Sequence, residues 1–151
     1  MKDTACQQLV IDAVTEGEVG GQGLKFNNRF IIGIPDLLVK LPGVQPMILE
    51  AKLFSFSAKT LEAGHLIQDV GATKMQKDQL RDWGYAGMLT GLVAFILPTG
   101  GNVGDLMMAL RSYDEMEHAG WSLSTDAFKP LGGKSERLPN IRMMLTEFGR
   151  N

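Results

Sequence analysis

Three charged side chains interrupt a stretch that otherwise reads as a core hairpin. In IPDLLVKLPGVQPMILEAK, Ile34 to Lys52, two apolar runs flank Pro42 and Gly43, and Asp36, Glu50 and Lys52 sit among them. A hairpin folded symmetrically about Gly43 sets Asp36 opposite Glu50 with both side chains on one face. Alternation along the second strand puts Lys52 on the face of Glu50, and Leu49, Ala51 and Leu53 on the other. Like charges directly across a ladder are destabilising, and charged residues are rarely buried without partners. A divalent cation supplies the missing compensation. Mg²⁺, with Mn²⁺ as its substitute, takes oxygen ligands from one or two carboxylates and keeps waters for substrate phosphates. The Ala51 backbone carbonyl, between the two charges, is a further candidate ligand. Beside such an ion, a lysine holds or helps deprotonate an attacking water, or offsets charge growing in the transition state. The chemistry implied is metal-assisted phosphodiester hydrolysis. A plainer reading has Asp36 opening a turn after Pro35, with Glu50 and Lys52 paired on a solvated strand face. It suits an isolated E-x-K better than catalysis does, but it explains the combination of Pro-Asp, turn and E-x-K only piecemeal.

Pro35-Asp36, thirteen intervening residues and Glu50-Ala51-Lys52 together resemble the PD-(D/E)XK nuclease signature. The likeness covers roughly Gln7 to Leu97. It is greatest to VRR-NUC-type and small phage and resolvase-like endonucleases, where a Gly-x-Pro-Asp hairpin precedes a glutamine-bearing helix and then an apolar strand. The resemblance implies a restriction-endonuclease-like α/β domain, a central mixed β-sheet flanked by helices. It implies that Asp36 and Glu50 bind metal, that Lys52 is the catalytic lysine and that Gln76 is the family's glutamine, with Gln79 a weaker match. An acid of the first helix joins the metal in many members; here Glu16 is the candidate, with Asp12 and Glu18 as alternatives. Thr73-x-x-Gln76 also reads as a helix capping box, so Gln76 carries a structural reading beside the functional one.

The activity implied is that of a Mg²⁺-dependent DNA endonuclease working as a homodimer or higher homo-oligomer, since one site per chain cuts one strand. A structure-selective enzyme, acting on junctions, flaps or nicks, is favoured over a sequence-specific homing or restriction-type one. The short chain leaves little surface for reading bases in the major groove. The competing class is a non-catalytic nucleic-acid-binding module on the same fold, in which the charge triad is incidental.

The elements that must position these residues are legible in outline. TACQQLVIDAVTEGE reads as a first helix capped by Thr4, and LKFNNRFIIG as a strand entering Gly33. The hairpin follows, then a mixed segment, Ser55 to Thr73, that reads as a loop over the site. TKMQKDQLRDWG predicts a helix capped by Thr73 with Met75, Leu80 and Trp83 toward a core. MLTGLVAFIL predicts a central strand buried on both faces. Leu106, Met107, Leu110, Tyr113 and Met116 recur at helical spacing and predict a helix ending at Gly120. The expected domain spans residues 1–151, with a core from about 5 to 120 and an irregular tail from about 121 to 151 that ends in a helix over IRMMLTEF.

With 44% hydrophobic and 21% charged residues, the chain has the composition of a folded globular domain. No apolar stretch is long enough to cross a bilayer, so no membrane partner is expected. A single cysteine excludes an internal disulfide, which fits a cytoplasmic setting in a bacterial or phage-infected cell, and two histidines give no zinc cluster. The net charge of −2 leaves DNA contact to local patches. The best placed is Lys25, Asn27, Asn28 and Arg29, just before the motif, although NNR also reads as a polar turn. Lys74, Lys77 and Arg81 share one side of the predicted helix, and the tail is locally basic; such stripes are more often solvated faces.

Overall fold

A computed structural model describes residues 1–16, 20–26, 35–100 and 105–150. Among them the chain forms a single α/β domain around a mixed six-stranded sheet. The elements are α1 (Asp3–Thr15), β1 (Gln22–Lys25), β2 (Leu37–Lys40), β3 (Met47–Ser57), α2 (Ala58–Ala63), β4 (Leu66–Ile67) and α3 (Lys74–Tyr85). They continue with β5 (Leu89–Thr99), β6 (Met107–Ser112), α4 (Tyr113–His118), β7 (Leu123–Ser124), β8 (Lys129–Pro130) and α5 (Lys134–Arg150). The main sheet runs β1-β2-β3-β5-β6-β8, and β4 pairs with β7 in a small second ribbon. Among the described residues only the β3–β5 pair is parallel, and it is the long central pair that carries Glu50 and Lys52.

The hairpin forms in the expected register. Gly43 takes φ +76° at the turn, a conformation glycine reaches without the Cβ clash that other residues suffer. Leu37 faces Leu49 and Val39 faces Met47. Alternation then sorts β3 between two cores. Met47, Leu49 and Ala51 join Val93 and Phe95 under α1 and α5, whereas Ile48 joins Leu92, Ala94 and Ile96 under α3 and α4. β5 is buried over nearly its whole length, as an apolar strand covered on both faces requires.

Several elements differ from the sequence expectation. Met107–Ser112 is a strand rather than the start of a helix. Its Leu, Met and Ala residues favour helix intrinsically, but the segment lies between β5 and β8, where pairing and burial on both faces decide. The turn to helix comes at Ser112, whose hydroxyl and Glu115 form a capping box for α4. In α3 Leu80 is fully buried, while Met75 and Trp83 are exposed, because this short helix meets the sheet along a narrow stripe. The segment from Trp121, expected to be irregular before its terminal helix, forms β7, a 3₁₀ turn, β8 and a 17-residue α5. Pro139 lies inside that helix, where it costs about 3 kcal/mol. Burial of Ile141, Leu145 and Phe148 in the core under α1 offsets this. At the N-terminus, α1 begins one residue before the expected cap, with Lys2 rather than Thr4 preceding it. The strand expected over LKFNNRFIIG begins within β1, which ends at Lys25; residues 27–33 lie outside the described residues.

Candidate active site

Glu50 is the fourth residue of β3, only 1% exposed. One carboxylate oxygen, Oε1, accepts a 2.7 Å hydrogen bond from Gln76 Nε2 and lies 3.8 Å from Lys52 Nζ. The other, Oε2, is buried and accepts no hydrogen bond from the described residues. Burial pushes the Glu50 carboxyl up to about 9; the neighbouring Asp36 carboxylate adds to the rise and Lys52 opposes it. Burial and the neighbouring Asp36 thus favour the protonated form of Glu50 in the metal-free protein.

Asp36 is placed by the last turns of two ladders. Its carbonyl accepts from Phe26 N–H at 2.9 Å, on the β1 side, and its side-chain Oδ2 accepts from Ala51 N–H at 2.9 Å, on the β3 side. The Ala51 amide thus points toward β2, and in a strand its carbonyl points the same way. Continued two residues past Leu37–Leu49, the hairpin register sets Pro35 opposite Ala51. A proline has no N–H, so the ladder offers the Ala51 carbonyl no donor there. The Pro-Asp pair thereby ends β2, gives the Ala51 amide a carboxylate in place of a backbone carbonyl, and leaves the Ala51 oxygen on the same side as Asp36.

Gln76 both caps α3 and reaches Glu50. Its Oε1 accepts from Thr73 N–H at 2.9 Å, and the Thr73 hydroxyl accepts from Gln76 N–H at 3.1 Å, completing the capping box at the start of α3. With the amide oxygen committed to the cap, the NH₂ group must face Glu50. Capping orients the donor. Lys52 is held by Gly71, whose carbonyl accepts from Nζ at 3.1 Å. That carbonyl belongs to the segment read as a loop over the site, which is braced by Asp69 Oδ1 on Gly71 N–H at 2.8 Å and by Val70 N–H on Trp121 O at 3.2 Å. Sequence reading missed Gly71 as a partner of the lysine; the Asp69-Val70-Gly71 turn pattern was its only trace. Trp121 itself is buried with a left-handed backbone, φ +62°, gives its indole N–H to Glu117 at 2.7 Å, and carries Lys77 Nζ 5.1 Å above its ring.

The structure thus gathers Asp36, Glu50, Ala51, Lys52 and Gln76. It does not bring Glu16 to them: that residue is the exposed C-cap of α1, a helix packed over the opposite face of the sheet. Lys25 pairs with Leu37, so its side chain lies on the α1 face, away from Glu50. Asn28 and Arg29 lie outside the described residues. Lys74 is ion-paired with Asp78 at 2.9 Å, and Arg81 with Asp78 and Asp82 at 3.4 and 3.2 Å, so the basic stripe of α3 is largely neutralised within its own helix.

The donor set suits a hard cation. Two carboxylates and a backbone carbonyl are oxygen ligands of the kind Mg²⁺ and Mn²⁺ prefer, and Oε2 is an acceptor that no donor among the described residues satisfies. No protein-family model matches the chain, and no curated protein matches it.

Proposed function

We propose that this chain is a metal-dependent DNA endonuclease of the PD-(D/E)XK type. The observation that carries the reading is the buried Glu50, with one oxygen unpartnered beside Asp36 and the other held by Gln76 within reach of Lys52. Asp36, Glu50 and the Ala51 carbonyl would hold Mg²⁺ or Mn²⁺, which would supply polarisation of the phosphodiester and easier ionisation of the attacking water. Gln76 keeps Oε1 of Glu50 occupied and so directs Oε2 toward Asp36. The Lys52 ammonium, fixed by Gly71, places positive charge where the pentavalent transition state gathers negative charge, and orients the attacking water. Two chains, each carrying one centre, cut the two strands of a duplex. The substrates are branched, flapped or nicked DNA, and the setting is the cytoplasm.

The test is cleavage of labelled duplex, nicked, flapped and four-way-junction DNA with Mg²⁺ or Mn²⁺, comparing the wild type with Lys52→Ala. Metal-dependent cutting that disappears in the variant is expected, with branched or nicked substrates cut fastest. DNA binding without cutting of any substrate moves the assignment to a non-catalytic binding module.

A further inference from the structure

The far end of α3 has its own cavity. About 230 Å³ in volume, it opens between the C-terminal turns of α3 and the start of α4, with Arg81, Gly84, Tyr85, Thr90, Tyr113 and Asp114 in its walls. Thr90 is 4% exposed, lines this space, and makes no side-chain hydrogen bond among the described residues. Its Oγ1 is not sealed from the cavity, so a hydroxyl with no protein partner among those residues is open there to a polar ligand atom.

Gly84 explains how that hydroxyl is reached. It lies inside α3 without a positive φ, so the backbone gives no reason for a residue that weakens helices. A Cβ there would stand 3.4 Å from Thr90 Oγ1 and meet nothing else within 4 Å. An alanine methyl would fit there in ordinary contact with the hydroxyl, covering it from that side. Tyr85, 84% exposed, flanks the mouth, and Tyr113 is braced edge-on against Trp121 at 5.8 Å between centroids. The one cation in the wall, Arg81, is paired with Asp78 and Asp82, and Asp114 adds negative charge, so the cavity does not suit a phosphate.

Two tyrosine rings, a hydroxyl that both donates and accepts, and no free positive charge fit a neutral planar heterocycle. Thr90 pairs with Ile48, two residues before Glu50, and so lies on the sheet face of the candidate site. Gly84 is eight residues beyond Gln76 on α3, roughly 12 Å along the helix. We propose that this cavity takes one unpaired nucleobase of the strand whose backbone crosses Asp36 and Glu50, stacked on Tyr85 and hydrogen-bonded to Thr90. The proposal rests on the nuclease reading for the identity of the strand, and it gives that reading a source of preference for DNA with an unpaired base.

The test is an abasic scan. Labelled single-stranded oligonucleotides, each with one base removed, are titrated by fluorescence anisotropy against Lys52→Ala protein in Mg²⁺, alone and with Tyr85→Ala or Gly84→Ala added. Removal of the base at one position is expected to weaken binding about 5- to 150-fold. Tyr85→Ala should give a similar loss that does not add to it. Gly84→Ala should flatten the same profile with Tm held or raised, because alanine strengthens a helix. A flat scan, a loss in Tyr85→Ala that is equal for intact and abasic strands, unchanged binding in Gly84→Ala, or no binding of any oligonucleotide overturns the proposal. Lys52-dependent cleavage is measured separately, so failure of the base pocket and failure of the nuclease assignment remain distinguishable.

Discussion

Leu49 and Glu50 are neighbours on β3 and almost equally buried, yet they belong to opposite worlds. Leu49 points into an apolar core under α1 and α5, whereas Glu50 points under α3 into a pocket that gives its two oxygens one hydrogen bond. Equal burial with opposite satisfaction separates a residue that stabilises the fold from one that the fold carries at a cost. The difference is local: Ile48, two residues earlier on the face of Glu50, is ordinary core. The polar interruption occurs where Pro35-Asp36 ends β2 and the first turn of α3 presents Gln76.

Substitution should break this pair in opposite directions. Glu50→Gln and Lys52→Ala are expected to lower metal-dependent cleavage by about 10²-fold or more while leaving the fold intact. Leu49→Ala should cost about 2–5 kcal/mol of stability and reduce activity only through unfolding. Cleavage rates and urea melts on the three variants check the contrast; a Glu50→Gln protein that cuts normally removes the metal role of Glu50.

The proton on Glu50 sharpens the same contrast. Its folded pKa, about 9, lies above the ordinary 4.5, so the folded state holds the proton more tightly than the unfolded chain. That contribution to stability is fully present below pH 4.5 and declines as pH rises toward 9, by up to about 1.4 kcal/mol per pH unit. Denaturant melts of metal-free protein should show this slope, and Glu50→Gln should lack it. Saturating Mg²⁺, which favours the ionised form, should flatten it as well.

Gln76 allows capping and site to be separated. Gln76→Ala loses both the cap and the Glu50 hydrogen bond, and should lower metal affinity about 10- to 100-fold together with Tm. Gln76→Glu retains an oxygen for Thr73 N–H but sets a carboxylate against Glu50, so it should lose metal affinity with less loss of helix stability. Metal titration and thermal melts read the two quantities independently. The smallest effects are expected at the surface of α3. Lys74→Ala and Lys77→Ala should each reduce the salt slope of DNA binding by about one or less, because Lys74 is already paired with Asp78 and Lys77 stacks over Trp121.

What was legible in the sequence followed local rules. The hairpin register came from a Pro-Gly turn and strand alternation, α3 from its capping box, and β5 from a continuous apolar run. What was not legible depended on partners distant in sequence. Met107–Ser112 has helical spacing and helix-forming residues, and becomes a strand only because β5 and β8 lie on either side. Pro139 reads as a breaker until α1 supplies the surface on which α5 packs; Arg142 even donates from its guanidinium to the Ala13 carbonyl at 2.7 Å. In the candidate site the charges on the hairpin were readable from alternation. The Gly71 carbonyl on Lys52 was not, since a loop's return to a strand leaves no periodicity.

Trp121 gives the molecule a built-in optical reporter. Its carbonyl holds the loop that carries Gly71, its ring lies under Lys77 and against Tyr113, and it is 5% exposed. Trp83, the other indole, faces solvent on α3. Acrylamide should therefore quench Trp83 first and leave a blue-shifted emission from Trp121. Any rearrangement of the loop over Lys52 will change the intensity or wavelength of that residual light, without a label attached to the protein.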